Sequence, residues 1–427
     1  MIHILAIVAA AAVPEQQVLP SPLTLPEALR IFRERGFDLL ISEMTVESAR
    51  GDVEIAGAFA NPVLSGSLGR SFNYNPNAPD CVGCSSTQQS IGLSDQGVLF
   101  DLLINKRRLR RDTARAALEA ARLGRADAQR TLQFQLKQQF LQASLATEQA
   151  RFARNLMETS ARTRGLMERR YSAGAISEAD LAKTQVAELE AMQQLDQAQT
   201  QLAAAKAAVA FLLGSQDPAL DLELDASALQ YRPGVSLGTF DELYQAAREN
   251  RPDLKALDRQ VERADSALAL ARRQRFPDIT LFGTYSQEGT GQSAIQPPTL
   301  TFSAQLPLPI FYQQQGEIRK AEADLRMQVL QRGKVRALVA QDVSQAFAAW
   351  QGGQKLVERM QGRILERAKV ARDLVRVQYE KGAASLLELL DAERTYIAVH
   401  GEYMQDLALY WTSVAQLEQA VGKELRQ

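Results

Sequence analysis

Arg170-Tyr171-Ser-Ala-Gly-Ala-Ile-Ser177 and Gln378-Tyr379-Glu-Lys-Gly-Ala-Ala-Ser385 are two versions of one short motif, 208 residues apart in a chain of 427 residues. In both versions a tyrosine is followed by a Gly-Ala pair and a serine, and a leucine comes four residues after the serine. Glycine reverses a chain at low cost because it has no side chain to obstruct a left-handed backbone. The motif therefore predicts two helix–turn–helix tips at equivalent places in two copies of one unit.

The duplication extends well beyond these turns. Residues 24–62 align without gaps with residues 239–277, and the aligned pairs include Arg33 with Arg248 and Pro62 with Pro277. From about residue 100 onward the offset changes from 215 to 208, so the copies differ in one loop length. The sequence is therefore divided into a first repeat (14–214), a linker (215–238) and a second repeat (239–427).

Each repeat is predicted to contain the same order of elements, which is helix, strand, strand, long helix and helix. A helix of about 35 residues ends at Pro62 or Pro277, where proline blocks its continuation. Period-two patterns separated by Gly-, Pro- and Asn-rich loops predict strands at about 63–72, 88–99, 278–286 and 299–308. Helical hairpins are predicted at 105–213 and 313–421, each closed by a terminal glycine. The fold class is mainly α.

The final helix of each repeat carries a narrow apolar seam with steps of three and four residues, which is the heptad pattern of a coiled coil. The seam residues are Leu195, Ala198, Leu202, Ala205, Val209 and Leu212, and then Leu407, Tyr410, Val414, Leu417 and Val421. The preceding helices of about 65 residues would each be about 100 Å long. These helices therefore predict an extended coiled-coil structure rather than a compact globular domain.

The four short strands have the length and loop spacing of tilted transmembrane β-strands. A membrane sheet cannot leave its edges unpaired, and four strands are too few to close a barrel. Three chains would supply twelve strands, which is enough for an aqueous lumen. The sequence therefore predicts a trimeric, twelve-stranded membrane β-barrel beside a helical part. A pair of soluble hairpins that cap the helices is the alternative interpretation of the same strands.

Composition and the N-terminus narrow the protein class. The 49 basic and 50 acidic residues nearly cancel, and no basic stripe indicates a nucleic-acid partner. Residues 1–13 contain an apolar run that ends in small residues, and they are predicted to be a signal peptide. No other segment approaches 18 apolar residues, so membrane contact is expected to involve strands.

Because these motifs occur in this order in a duplicated chain, the chain resembles the TolC-like outer membrane factors, in particular the CzcC-like branch. Besides the two tip motifs, the resemblance rests on Arg251-Pro252-Asp253-Leu254, Arg275-Phe276-Pro277-Asp278 and Leu306-Pro307-Leu308-Pro309-Ile310-Phe311. It covers nearly the whole chain after residue 13. It implies a homotrimer in the outer membrane lipid with a periplasmic α-helical barrel, a periplasmic adaptor (membrane fusion protein) and an inner-membrane efflux transporter as partners. The implied function is a passive efflux duct, with heavy-metal cations as one cargo.

The resemblance also assigns roles to residues near the two tips. The positions that match the adaptor-docking tips are Gly174, Ala175, Ile176, Gly382, Ala383 and Ala384. The positions that match the lumen gate are Asp180, Tyr379, Glu388 and Asp391. A plain structural turn and an ordinary solvated helix surface are the alternatives for these two groups. Ala384 stands where an arginine of TolC itself would pair with Asp180 and Tyr379.

Few residues have the pattern of a chemical site. Cys81 and Cys84 lie in the first long loop, where a local disulfide is favoured over metal capture because no histidine accompanies them. No nucleophile, acid–base pair or phosphate loop appears, so neither an enzyme nor a cofactor is expected.

A soluble periplasmic coiled-coil scaffold is the competing function, and the four strands are the feature that such a scaffold would not need.

Overall fold

The computed structural model describes residues 20–72, 75, 85–217, 222–231, 233, 237–288 and 298–425. The predicted signal peptide, 1–13, and the cysteines Cys81 and Cys84 lie outside the described residues. Within those ranges, none of the helices combines the length and the hydrophobicity that a membrane crossing requires.

The two copies share one order of helices and strands, except that the first has an additional short helix after its second strand and the second has its long helix divided in two. The first copy consists of α1 (Leu25–Arg35), α2 (Phe37–Gly57), β1 (Val63–Arg70), β2 (Thr87–Ser94), α3 (Val98–Leu103), α4 (Lys106–Ser172) and α5 (Glu178–Leu212). The second consists of α6 (Phe240–Asn250), α7 (Pro252–Arg273), β3 (Thr280–Glu288), β4 (Thr299–Gln305), α8 (Gln315–Arg359), α9 (Glu366–Glu380) and α10 (Leu386–Val421). The prediction of a mainly α, duplicated helix–strand–strand–long helix–helix fold is confirmed.

The helix that opens each copy is broken in two, where the sequence predicts one helix. In the first copy α1 ends before Gly36, and in the second copy α6 ends at Asn250. Arg251 is extended (φ −62°, ψ 120°) because Pro252 disfavours helical backbone in the residue before it. Because glycine is a poor helix former, Gly36 supplies the equivalent weak point in the first copy.

The second strand of each copy is shorter than predicted. β2 ends at Ser94, because the Asp95 carboxylate accepts hydrogen bonds from the backbone N–H groups of Gly97 (2.9 Å) and Leu281 (2.8 Å) and turns the chain into α3. In the other copy β4 ends at Gln305, where Pro307 has no N–H to continue the ladder.

The helix of about 65 residues that is predicted to open the second hairpin, 313–421, is not continuous. A π-helical turn, Met360–Leu365, separates α8 from α9, whereas α4 of the first copy runs without interruption from Lys106 to Ser172. Gly362 lies within this turn and lowers the local helix propensity, which favours an irregularity there.

The chain divides into two compact units. One unit comprises the described residues up to 43, 124–252 and from 335 onward, and the other comprises 44–123 and 253–334. In the first unit α1, α4 and α5 pack around a core that includes Phe32, Phe140 and Val209. The apolar seam predicted on α10 is buried in that unit, from Leu407 through Val421. The second unit contains the sheet.

Candidate functional site

The sheet joins the two copies of the repeat. Its order is β1-β2-β3-β4, with antiparallel pairing throughout, so β2 of the first copy pairs directly with β3 of the second. Among the described residues, β1 and β4 each have a neighbouring strand on one side only. Two rows of backbone hydrogen-bonding groups at the sheet edges are therefore available for strands of another chain.

One face of the sheet is apolar and exposed. Its two central cross-strand rows are Leu64, Leu93, Gly283 and Phe302, and then Gly66, Ile91, Tyr285 and Leu300. All six of the large side chains in these rows are exposed. An uncovered apolar face of this kind indicates contact with lipid or with another protein surface.

The opposite face of the same strands carries hydroxyl groups. Its rows are Ser67, Ser90, Ser286 and Thr299, and then Ser65, Gly92, Thr284 and Thr301. The Oγ atoms of Ser67 and Ser90 are 2.9 Å apart and share a hydrogen bond across the strands. Apolar and polar faces that alternate residue by residue are typical of strands that separate lipid from an aqueous lumen.

The helical tips close with left-handed glycines. Gly174 has a φ of 70° and Gly382 a φ of 76°, and no neighbouring atom would contact a Cβ added at either position. The next residue donates a backbone hydrogen bond into the preceding helix, from Ala175 to Arg170 (2.9 Å) and from Ala383 to Gln378 (2.7 Å). These bonds satisfy helix-terminal carbonyls and form a Schellman turn in both hairpins.

The six predicted tip residues fall into two environments. Gly174, Ala175, Gly382 and Ala383 are exposed. Ile176 and Ala384 are instead partly buried against a small core that the two hairpins share. The buried members of that core are Met167, Tyr379, Leu386 and Leu389. Four of the six positions therefore lie on the surface, and the other two pack against the core that the hairpins share.

Among the predicted gate residues, Glu388 is part of a capping box at the start of α10. Its carboxylate accepts hydrogen bonds from the backbone N–H of Ser385 (2.7 Å) and from Ser385 Oγ (2.9 Å). Both bonds favour the charged form, so they hold the pKa of Glu388 below its ordinary value of 4.5. The side chain is exposed and its charge is available to the surroundings.

Asp180 occupies the equivalent place in the first hairpin. Its carboxylate accepts a hydrogen bond from Ser177 Oγ (2.8 Å) and lies 3.4 Å from the Lys183 ammonium. The hydrogen bond from Ser177 and the neighbouring Lys183 lower the pKa of Asp180. Each hairpin thus places one carboxylate, hydrogen-bonded to the N-cap serine, just after its tip.

Tyr379 and Asp391 differ in burial. Tyr379 is 8% exposed, and its hydroxyl donates to the sulfur of Met167 (3.1 Å) while the Arg170 guanidinium lies 5.2 Å from its ring centroid. Asp391, one turn after Glu388 on α10, is exposed. The structure therefore brings Tyr379 into the protein core at the tips and leaves Glu388 and Asp391 on the surface.

Sequence reasoning missed the capping role of Glu388 and the hydrogen bond between Ser177 and Asp180. Ser385-Leu-Leu-Glu388 has the Ser-x-x-Glu pattern of a capping box, and Ser177-Glu-Ala-Asp180 is its counterpart with aspartate. The same signal opens α1 at Thr24 and α6 at Thr239, each with a glutamate three residues later. No group of three or more metal-ligating side chains occurs in the part of the chain that the structure describes.

Comparison with known proteins gives consistent findings. The family profile described as "Outer membrane efflux protein" matches residues 29–215 and 243–423, so each matched stretch covers most of one repeat. The cobalt-zinc-cadmium resistance protein CzcC of Cupriavidus metallidurans is 24% identical over 414 residues, which are 94% of this chain and 90% of that protein. The pyoverdine export outer membrane protein OpmQ of Pseudomonas putida is 27% identical over 429 residues, which are 97% of this chain and 89% of that protein.

A solved structure shares the fold. The crystal structure of CusC superimposes with a TM-score of 0.74 at 19% sequence identity, and the alignment covers 96% of this chain and 95% of that one. Because the identity is low, this likeness concerns the arrangement of helices and strands.

Proposed function

This chain belongs to the outer membrane efflux protein family, and we propose that three copies of it form a continuous duct for substrates delivered by an inner-membrane transporter. It is an outer membrane channel component of an efflux system. The two-faced sheet is the observation that supports the duct. Its apolar rows suit lipid, its hydroxyl rows suit water, and its open edges require strands from further copies.

Two adjacent residues of β2 test this proposal, because Ile91 belongs to the apolar face and Ser90 to the hydroxyl face. We expect Ile91→Arg to abolish trimer assembly in the membrane, since an arginine that faces lipid near the bilayer midplane costs about 2–4 kcal/mol per chain. We expect Ser90→Arg to leave the trimer intact and to shift the conductance toward anions. The measurements are light scattering of the purified proteins and recordings in planar bilayers.

The two substitutions control for each other because they introduce the same side chain in the same strand. Equal assembly by both variants, or purified parent protein that is entirely monomeric, would contradict the duct. A scaffold that never enters a membrane should tolerate both changes and conduct in neither case.

We propose that the helical tips dock a periplasmic adaptor. The exposed backbone at Gly174, Ala175, Gly382 and Ala383 supports this, because side chains that end at Cβ or lack it allow close approach of a partner. The alanines are the better test positions, since the glycines have positive φ values and any substitution there also strains the turn.

We expect Ala175→Trp combined with Ala383→Trp to block adaptor docking and to reduce efflux-dependent resistance to that of a strain without the channel. Substitution with serine at the same two positions is the matched control and should preserve resistance. Crosslinking to the adaptor and trimer abundance are measured in the same cells. Normal crosslinking and resistance in the tryptophan variant would show that the tips do not contact the adaptor.

We propose that the chain itself performs no catalysis and that the inner-membrane transporter selects the cargo.

Glu388 and Asp391 support a negatively charged constriction in the lumen, which would suit cations. Heavy-metal cations are therefore the first cargo to test, in agreement with the name of the relative CzcC.

A further inference from the structure

Two equivalent segments of the repeat lie at the same end of the sheet. β2 and β4 finish at this end and β1 and β3 begin there, as the pairs Val63 with Ser94 and Thr280 with Gln305 show. The segment after β2 forms α3, and the segment after β4 is 306–312. Both segments lie between a strand and a long helix, so each trimer would have six of them.

Both segments expose large apolar side chains. On α3 these are Leu99, Leu102 and Leu103, the last with 77% of its surface exposed. After β4 they are Leu306, Leu308, Ile310, Phe311 and Tyr312, with Phe311 97% exposed. An apolar band that includes aromatic rings and continues the apolar face of a membrane sheet has the character of a membrane–water interface.

Two stretches rich in arginine lie close to this band in the sequence. The run Lys106-Arg107-Arg108-Leu109-Arg110-Arg111 begins after the two residues that follow α3, and Arg272-Arg273-Gln274-Arg275 precedes β3. The buried Lys106 connects the two stretches, since its ammonium donates to the carbonyl of Phe276 (2.6 Å) and to Asp278 (2.8 Å). The two basic stretches therefore lie at the same end of the sheet.

Part of this charge is neutralised by nearby carboxylates and part of it is not. Lys106 pairs with Asp278, and Arg110 pairs with Asp101. Arg273 and Arg275 are exposed, and neither takes part in an ion pair within the described ranges of the chain. This end of the sheet therefore combines exposed apolar groups with unneutralised guanidinium groups.

We propose that this interfacial collar, defined as α3, 306–312, Arg273 and Arg275, binds the phosphate groups of anionic phospholipids in the periplasmic leaflet of the outer membrane. Its apolar side chains enter the boundary of the acyl chains, and its guanidinium groups contact the negatively charged headgroups. The equivalent positions of the other copy are Gly57 to Ala60 in place of Arg272 to Arg275, so the cationic contribution is asymmetric within each protomer.

In the test, the detergent-purified trimer is reconstituted in phosphatidylethanolamine vesicles that either contain or lack phosphatidylglycerol. Native mass spectrometry then identifies the lipids that each protein retains. We expect the parent protein to retain phosphatidylglycerol preferentially. Arg273→Gln with Arg275→Gln should weaken this preference roughly fivefold for each arginine removed per protomer. Arg273→Lys with Arg275→Lys should preserve most of it, because lysine keeps the positive charge.

Arg154→Gln with Arg169→Gln, which removes two exposed arginines from α4 in the other compact unit, is the matched control and should retain the lipid preference. Equal phosphatidylglycerol retention by the parent and the Arg273/Arg275 glutamine variant would overturn the inference. Complete displacement of phosphatidylglycerol by inorganic phosphate at the same concentration would also overturn it, since that result would indicate a simple anion site. Pore conductance is measured on the same proteins, because loss of conductance concerns the proposed duct and loss of lipid preference concerns the collar.

Discussion

Replacing Gly214 by alanine is expected to destabilise the protein far more than the same replacement at Gly174. Both glycines end a helix with a left-handed backbone, with φ values of 76° and 70°. An alanine with positive φ costs about 1–2 kcal/mol at either site. At Gly214, however, the added Cβ would lie 2.6 Å from the carbonyl oxygen of Arg35, whereas no atom lies within 4 Å at Gly174.

The clash at Gly214 is costly because the obstructing atom is backbone and belongs to the end of α1, which cannot rotate away. We expect a further loss of about 1–3 kcal/mol from the forced displacement. Gly422 provides an intermediate case, since its Cβ would lie 3.2 Å from Arg251 Cα at a φ of 80°.

The expected order of destabilisation is therefore Gly214→Ala, then Gly422→Ala, then Gly174→Ala. Urea unfolding of the detergent-solubilised protein, followed by circular dichroism, measures this order. An equal shift of the midpoint for Gly174→Ala and Gly214→Ala would mean that backbone strain alone sets the cost and that the contact with Arg35 does not matter.

Removing Glu388 and Asp391 together is expected to abolish most of the cation preference of the pore. Three protomers would bring six carboxylates toward one axis, where low-dielectric walls concentrate the field. Planar-bilayer recordings of Glu388→Ala with Asp391→Ala should show weaker cation selectivity and weaker block by trivalent cations. Unchanged selectivity and block would place these two residues outside the constriction.

The hydrogen bonds from Ser385 are expected to affect how the cation selectivity of this site depends on pH. Its hydrogen bonds lower the pKa of Glu388, so the charge and the cap are present above the ordinary value of 4.5 and are lost as pH falls through the lowered pKa. We expect Ser385→Ala to raise this pKa and move the loss of selectivity to higher pH. Thr239→Ala, which removes the N-cap side chain of the equivalent capping box on α6, is the control for a damaged helix start. Equal midpoints for the parent and Ser385→Ala would show that Glu388 does not set the selectivity.

The sequence could predict the parts of the fold that depend on residues close together in the chain. The turns at Gly174 and Gly382 follow from the absence of a side chain, and their positive φ values agree with that reason. The heptad seam of α10 follows from the helical period, and its residues are buried. The breaks at Gly36 and before Pro252 could also be predicted from local backbone preferences. The overall helical pattern, however, predicts one helix across each break.

Only the tertiary structure decided which distant segments meet. β2 pairs with β3 although nearly two hundred residues separate them, and this pairing creates one apolar face and one hydroxyl face from both copies. Tyr379, predicted at the gate, is buried against Met167 of the other copy. Nothing near these residues in the sequence specifies the partner, because many similar apolar surfaces could meet and the choice depends on the packing of the whole chain. The sequence by itself therefore determined the repeat, its turns and its seams, and the folded chain determined the faces that they form.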